Sequence, residues 1–194
     1  MEVNATLGSA LLLMLLAYLI GSVNSAILVC RAFKLGDPRQ QGSGNPGATN
    51  VLRLGGRGAA LITLLGDVGK GALPTWLALT QHFAAEAVAL VALAAVLGHL
   101  YPVFFQFQGG KGVATTFGAL ILIELSLALS LLVLWLGANR IFHRSAAGAL
   151  CAALATPALS YWLSPDYWQI FSLLSLIVIW RHRSNIRRWL AQAD

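Results

Sequence analysis

VNATLGSALLLMLLAYLIGSVNSAILVC, residues 3–30, holds no charged side chain across 28 positions. A bilayer core needs about 20 apolar residues in a helix, so this stretch alone is long enough to cross one. The only charge ahead of it is Glu2. A cleavable signal peptide begins with a basic segment, so the run reads as a retained span. Further charge-free runs cover 87–110, 145–165 and 167–180, with shorter ones at 71–85, 112–123 and 125–139. Of 194 residues, 58% are hydrophobic and 10% charged, against about 25% charged in a soluble domain. So few charges leave a soluble globule with far too much apolar surface in water. A disordered chain and a disulfide-stapled secreted domain are excluded as well. Alternating ten-residue segments, which a barrel needs, are absent. The expected fold is therefore all-α, a polytopic integral membrane bundle forming one domain over 1–194.

Charge placement sets the topology. Net charge is +6, from 13 Lys and Arg against 7 Asp and Glu. The basic residues cluster at 31–39, 53–57, 140–144 and 181–188, between apolar runs. There they meet anionic lipid head groups or anionic substrates, not nucleic acid. The connectors at 81–86 and 164–166 hold no Lys or Arg. The positive-inside tendency puts the basic clusters in the cytoplasm, the N-terminus outside and the C-terminus inside. Lys111 and Arg140 then share one side, which makes 112–139 awkward. As one helix it would run about 42 Å, too long for one span and too short for two full ones. A hairpin of two half-length helices breaking near Glu124–Ser126 resolves this, giving about seven helical segments. Frequent Gly, Ala and Ser in the apolar runs allow close helix packing in lipid. Cys30 and Cys151 lie in apolar surroundings and read as buried free thiols.

Three polar stretches interrupt this chain. The first is GSGNPGATN, Gly42–Asn50, followed by Arg53. Small residues let backbone N–H groups approach an anion, Ser, Thr and Asn add donors, and a helix starting around Ala48–Asn50 presents its N-terminal dipole. Gly42, Gly44 and Gly47 match G-x-G-x-x-G, but no βαβ unit surrounds them. Ala48 stands where a P-loop would place Lys. The second stretch holds His99, Tyr101 and Pro102, then Gly109-Gly110-Lys111-Gly112 ahead of a helix, a composition suited to phosphate. His99 reads first as a structural histidine, with a catalytic role as the alternative. The third, RHRSNIRR at 181–188, is a positive-inside anchor that does not require His182 or Asn185; three apart on a helix, these two share a face. Asp67 and Lys70, about 20 Å along a helix from Arg53, read as a structural ion pair. No metal-ligand cluster and no D-x-x-x-D or H-x-x-x-x-D spacing is present, and no Ser–His–acid or Cys–His context suggests a covalent nucleophile. Neither a metal nor a cofactor is expected.

Together, GSGNPGATNVLR at 42–53, D-x-x-K-G at 67–71, GHLYPVFFQFQGGKGVATT at 98–116 and RHRSNIRR at 181–188 resemble the PlsY-type bacterial acyl-phosphate:glycerol-3-phosphate acyltransferases. The resemblance runs in order over nearly the whole chain. It implies seven transmembrane helices in the bacterial inner membrane with a cytoplasmic site. It also implies acyl transfer from acyl phosphate to the 1-hydroxyl of glycerol 3-phosphate, without metal or acyl-enzyme, yielding lysophosphatidic acid and phosphate. Carried over by position, Ser43, Gly44, Asn45, Thr49 and Asn50 cradle phosphate. Arg53, Gly110, Gly112 and Ser145 join in substrate binding, and Lys111, His182 and Asn185 stand at the catalytic centre. Asp67, Lys70 and His99 support it. Partners are the two substrates, membrane lipid and a transient contact with the enzyme supplying acyl phosphate. Gly148 stands where some relatives carry a second Ser. The proton acceptor is His99, His182 or the substrate's own phosphate. A carrier for organic phosphates and a purely structural membrane subunit are the competing classes.

Overall fold

The computed structural model describes residues 7–191, and all regular structure among them is helical. The chain forms two compact units, Met1–Ile123 and Glu124–Asp194. The first contains α1 (Leu7–Gly21), α2 (Ser25–Ala32), α3 (Ala48–Thr80), α4 (Ala85–Leu100) and α5 (Val113–Ile123). The second contains α6 (Leu125–Phe142), α7 (Ser145–Leu163), α8 (Trp168–Arg181) and α9 (Arg183–Leu190). Taking α1 with α2 as one bent span, α1 to α8 give the seven expected segments. Among the described residues, four are long and apolar enough to cross a bilayer alone: Leu7–Ala32, Ala85–Phe105, Leu125–Phe142 and Ser145–Leu163. Large apolar side chains such as Leu11, Leu65, Val133, Leu154 and Trp162 face outward, as lipid-facing helices require. This is a multi-pass membrane bundle.

The opening apolar run is not one straight helix. Ser22 turns its hydroxyl onto the Tyr18 carbonyl at 2.8 Å, and Asn24 caps α2 by accepting the Ile27 N–H at 3.1 Å. Those polar groups satisfy the backbone that the bend releases. Helix α3 likewise bends at Gly56, whose φ of 75° with ψ of −170° only glycine adopts freely. The axial estimate of about 20 Å from Arg53 to Asp67 assumed a straight helix, and Gly56 overturns it. Close helix contact rests on glycine. A Cβ at Gly71 would strike the Thr115 carbonyl, and one at Gly118 the Val68 carbonyl, so α3 and α5 touch backbone to backbone. Between α2 and α3, Ala26, Val29, Cys30, Val51 and Ala59 form a buried cluster capped by Leu35. Cys30 is a buried free thiol, whereas Cys151 is only half-buried.

The chain breaks between α5 and α6 at Glu124, whose carboxylate accepts the Ser126 hydroxyl at 2.7 Å and the Ser126 N–H at 3.3 Å. The break falls where charge parity put it, but the arms are unequal. α5 has 11 residues and α6 has 18, enough for a full span. The second arm continues past Arg140 to Phe142, because a cation in the last turn is compatible with the helix dipole. Within the second unit, a Cβ at Gly148 would meet the Trp135 carbonyl and ring, so the α6–α7 contact has no room for a second Ser there.

Candidate functional site

The first polar stretch folds back on the helix it introduces. Asn50 is buried, its Oδ1 accepting the Ser43 N–H at 2.9 Å. Its Nδ2 donates to the Pro38 carbonyl at 2.9 Å and the Gln41 carbonyl at 3.0 Å. Expected to contact phosphate, Asn50 instead shapes the loop, since both its amide hydrogens serve loop carbonyls. Gly42 (φ 60°) lies where a Cβ would strike Asn50 Oδ1. Gly44 and Gly47 donate their N–H groups to Gln41 and Asn45 carbonyls at 3.1 and 3.0 Å. A backbone amide already bonded inside a turn is not an anion donor, so Gly44 supplies room and not a hydrogen bond. Ser43 and Asn45 stay half-buried, while Thr49 and Arg53 are exposed on the first turns of α3.

The second stretch packs against the first. Gly110 donates its N–H to the His99 carbonyl at 3.1 Å, which likewise removes that amide from any anion. A Cβ on Gly110 would run into His99 Nε2, and the Pro46 carbonyl lies 3.1 Å from the same point. Glycine at 110 thus lets the two loops meet. Lys111 follows, half-buried, and Gly112 (φ 84°) turns the chain into α5. Arg39 makes a second link between the loops. Its guanidinium grips the Asp37 carboxylate, Nη2 to Oδ2 at 2.7 Å and Nε to Oδ1 at 3.1 Å, and Nη1 donates to the Phe105 carbonyl at 3.4 Å. These hydrogen bonds from Arg39 are the main reason the Asp37 carboxyl is held below its usual range. Neither residue stood out in the sequence, although Asp37-Pro38-Arg39 reads as a turn.

Beneath these loops lie three buried ionisable groups. Lys70 Nζ is 2.9 Å from Asp67 Oδ1 and donates to the Val23 carbonyl at 3.0 Å. His99 Nδ1 faces the same carboxylate oxygen from 3.6 Å. The ion pair therefore has a third neighbour in His99, which sequence spacing alone did not indicate.

Ser145, His182 and Asn185 belong to the second unit. Ser145 opens α7. His182 is not inside a helix as expected but at the junction of α8 and α9, where its N–H meets the Val178 and Ile179 carbonyls. It is buried, and Nδ1 lies 2.7 Å from the Val178 carbonyl. A carbonyl only accepts, so Nδ1 is the donor of that contact. Asn185 donates its N–H to the His182 carbonyl at 2.8 Å, which keeps the pair adjacent across the junction. Arg144 lies over the Trp189 ring at 5.6 Å, tying α9 to the α6–α7 connector.

One pattern unites these places. Outside the Asp67, Lys70 and His99 group, the candidate residues stand at or near the starts of α3, α5, α7 and α9, and none of those helices has an acidic residue in its first turn. No side chain caps α3, α7 or α9. Elsewhere the helix starts are mixed: Asn24 caps α2, Glu86 sits in the first turn of α4 and Glu124 caps α6, whereas α8 also begins without an acid or a side-chain cap. A helix N-terminus without its own acid is suited to an external anion.

A model of the glycerol-3-phosphate acyltransferase family matches residues 11–192. The glycerol-3-phosphate acyltransferase of Shewanella oneidensis is 50% identical over 184 residues, 95% of this chain and 91% of that protein. That of Thioalkalivibrio sulfidiphilus is 52% identical over 180 residues, covering 92% and 89%. Among solved structures, PlsY, an integral membrane glycerol 3-phosphate acyltransferase, in its glycerol 3-phosphate form has a TM-score of 0.90 at 34% identity over 96% of this chain and 94% of that one. Its lysophosphatidic acid form has a TM-score of 0.85 over the same shares.

Proposed function

The chain belongs to the glycerol-3-phosphate acyltransferase family, a family of transferases, and from that premise we propose the donor, the chemistry and the division of labour among its residues. The donor is acyl phosphate and the acceptor is the 1-hydroxyl of glycerol 3-phosphate. The hydroxyl oxygen attacks the acyl carbonyl, a new C–O ester bond forms, and the bond from carbonyl carbon to phosphate oxygen breaks. A phosphate oxygen takes the hydroxyl proton. Lysophosphatidic acid and inorganic phosphate leave. Acyl phosphate is a mixed anhydride with a good leaving group, so neither a covalent acyl-enzyme nor a metal ion is needed. The task is to hold two mutually repelling phosphates beside one carbonyl.

The meeting of the two glycine-rich loops around Gly110, between Pro46 and His99, carries this reading. Ser43, Asn45, Thr49 and the amides opening α3 hold one phosphate, with Arg53 near its rim. Lys111 and the start of α5 counter charge that builds on the leaving phosphate. Ser145, His182 and Asn185 orient the acceptor. Asn50, Gly44, Gly110 and Gly112 give the loops their shape. The site faces the cytoplasm of the inner membrane, with the N-terminus outside, on the strength of the basic clusters.

Lys111→Ala and Asn45→Ala test the assignment. In each, acyl transfer is expected to fall about 10²-fold or more while the melting temperature holds. Near-normal turnover in both variants overturns the site. Binding of both ligands by the intact protein without turnover moves the carrier reading ahead.

A further inference from the structure

Asp67, Lys70 and His99 are each at most 6% exposed, from two different helices of an apolar bundle. Ionisable groups at membrane depth are costly, and pairing offsets that cost. Lys70 alone neutralises Asp67, and the Val23 carbonyl takes up another of its hydrogens. His99 is not required for charge balance. What it adds is direction. Its Nδ1 edge faces Asp67 Oδ1 from 3.6 Å, while its Nε2 edge lies against Gly110. The His99 carbonyl accepts the Gly110 N–H, and a Cβ at Gly109 would strike that same carbonyl. The loop carrying Lys111 therefore rests on His99 by both ring and backbone, and the Asp67 carboxylate stands against the ring's other edge at 3.6 Å, just beyond hydrogen-bond distance.

We propose that Asp67 is a positioning residue for the reaction: by standing against the Nδ1 edge of the His99 imidazole, it fixes the ring edge on which Gly110 rests and so sets the place of Lys111 beside the first loop. This rests on Lys111 acting at the reacting phosphate. Asp67 does not touch substrate. Its charge is matched by Lys70, so its fold role and its positioning role separate by mutation.

The full-length protein is tested in lipid nanodiscs with palmitoyl phosphate and glycerol 3-phosphate. Asp67→Leu/Lys70→Met removes both charges and leaves neither partner buried alone. It is expected to melt near the wild-type temperature, with kcat reduced about tenfold or more and the KM for glycerol 3-phosphate little changed. Asp67→Asn/Lys70→Met keeps a polar side chain of the same size beside Nδ1 without the charge, and is expected to regain most of that kcat. Equal losses in the two double variants overturn the proposal, because they assign Asp67 to charge alone. Wild-type kcat in the Leu/Met variant overturns it as well. Should that variant fail to fold, His99→Leu, which leaves the ion pair intact, is expected to show the same loss on kcat, and full kcat there refutes the idea. Retained activity in Lys111→Ala instead refutes the site reading, so the two failures are distinguishable.

Discussion

Asn50 shows how one side chain can satisfy a sequence pattern for a different reason. Its amide donors suit a phosphate oxygen or a peptide carbonyl equally, so a string of small polar residues does not say which it meets. The fold places it among the Pro38, Gln41 and Ser43 backbone groups. Asn50→Asp keeps an acceptor for Ser43 but turns a carboxylate toward two carbonyls. The variant is expected to lose about 1–3 kcal/mol of stability and most activity, read by thermal unfolding and turnover together. Leucine here would leave the same three groups unpaired. His99 was ambiguous for a related reason, since its partner Asp67 lies 32 positions earlier and only the α3–α4 packing brings them together. Local spacing reached the Asp67–Lys70 pair because those two are one helical turn apart.

Elements were more legible than their details. Runs without charge located the spans except α3, of which the run at 71–85 covers only the end, and charge parity placed a break near Glu124. The bends at Ser22–Asn24 and Gly56 were not read, because polar or glycine residues inside an apolar run signal equally a packing face and a broken helix. Packing separates two glycines on α3 that look alike in sequence. Gly69 has open space where a Cβ would stand, whereas Gly71 abuts the Thr115 carbonyl. Gly69→Ala is expected to be neutral or to stabilise by up to about 1 kcal/mol, from helix propensity. Gly71→Ala is expected to destabilise by about 1–3 kcal/mol, as overpacking does. Paired melting curves check both.

The loop clamp has a pH signature. The Asp37 carboxyl is held below its usual value by Arg39, so its contribution to stability is present above the ordinary Asp range and is lost as pH falls through the lowered value. The difference in melting temperature between wild type and Arg39→Ala is therefore expected to be full at neutral pH and to shrink below about pH 4. A gap that widens on acidification contradicts the clamp.

At the scale of the molecule, a membrane protein was readable from composition alone, since 10% charge leaves no other solvent than lipid for most of the surface, and the length and number of the charge-free runs made it all-helical and multi-pass. Function was readable through four motifs, at 42–53, 67–71, 98–116 and 181–188, that together resemble one enzyme family. What the sequence held back was which amides remain for a ligand, because that depends on how tightly each turn closes on itself. The central claim joins donor, acceptor and metal independence in one reaction. Its most direct test supplies the purified protein in lipid with palmitoyl phosphate and glycerol 3-phosphate, with and without EDTA, and with palmitoyl-CoA in a parallel sample. The account predicts matched release of lysophosphatidic acid and phosphate, undiminished by EDTA and absent with the thioester. Product from palmitoyl-CoA alone, or product that disappears with EDTA, contradicts it.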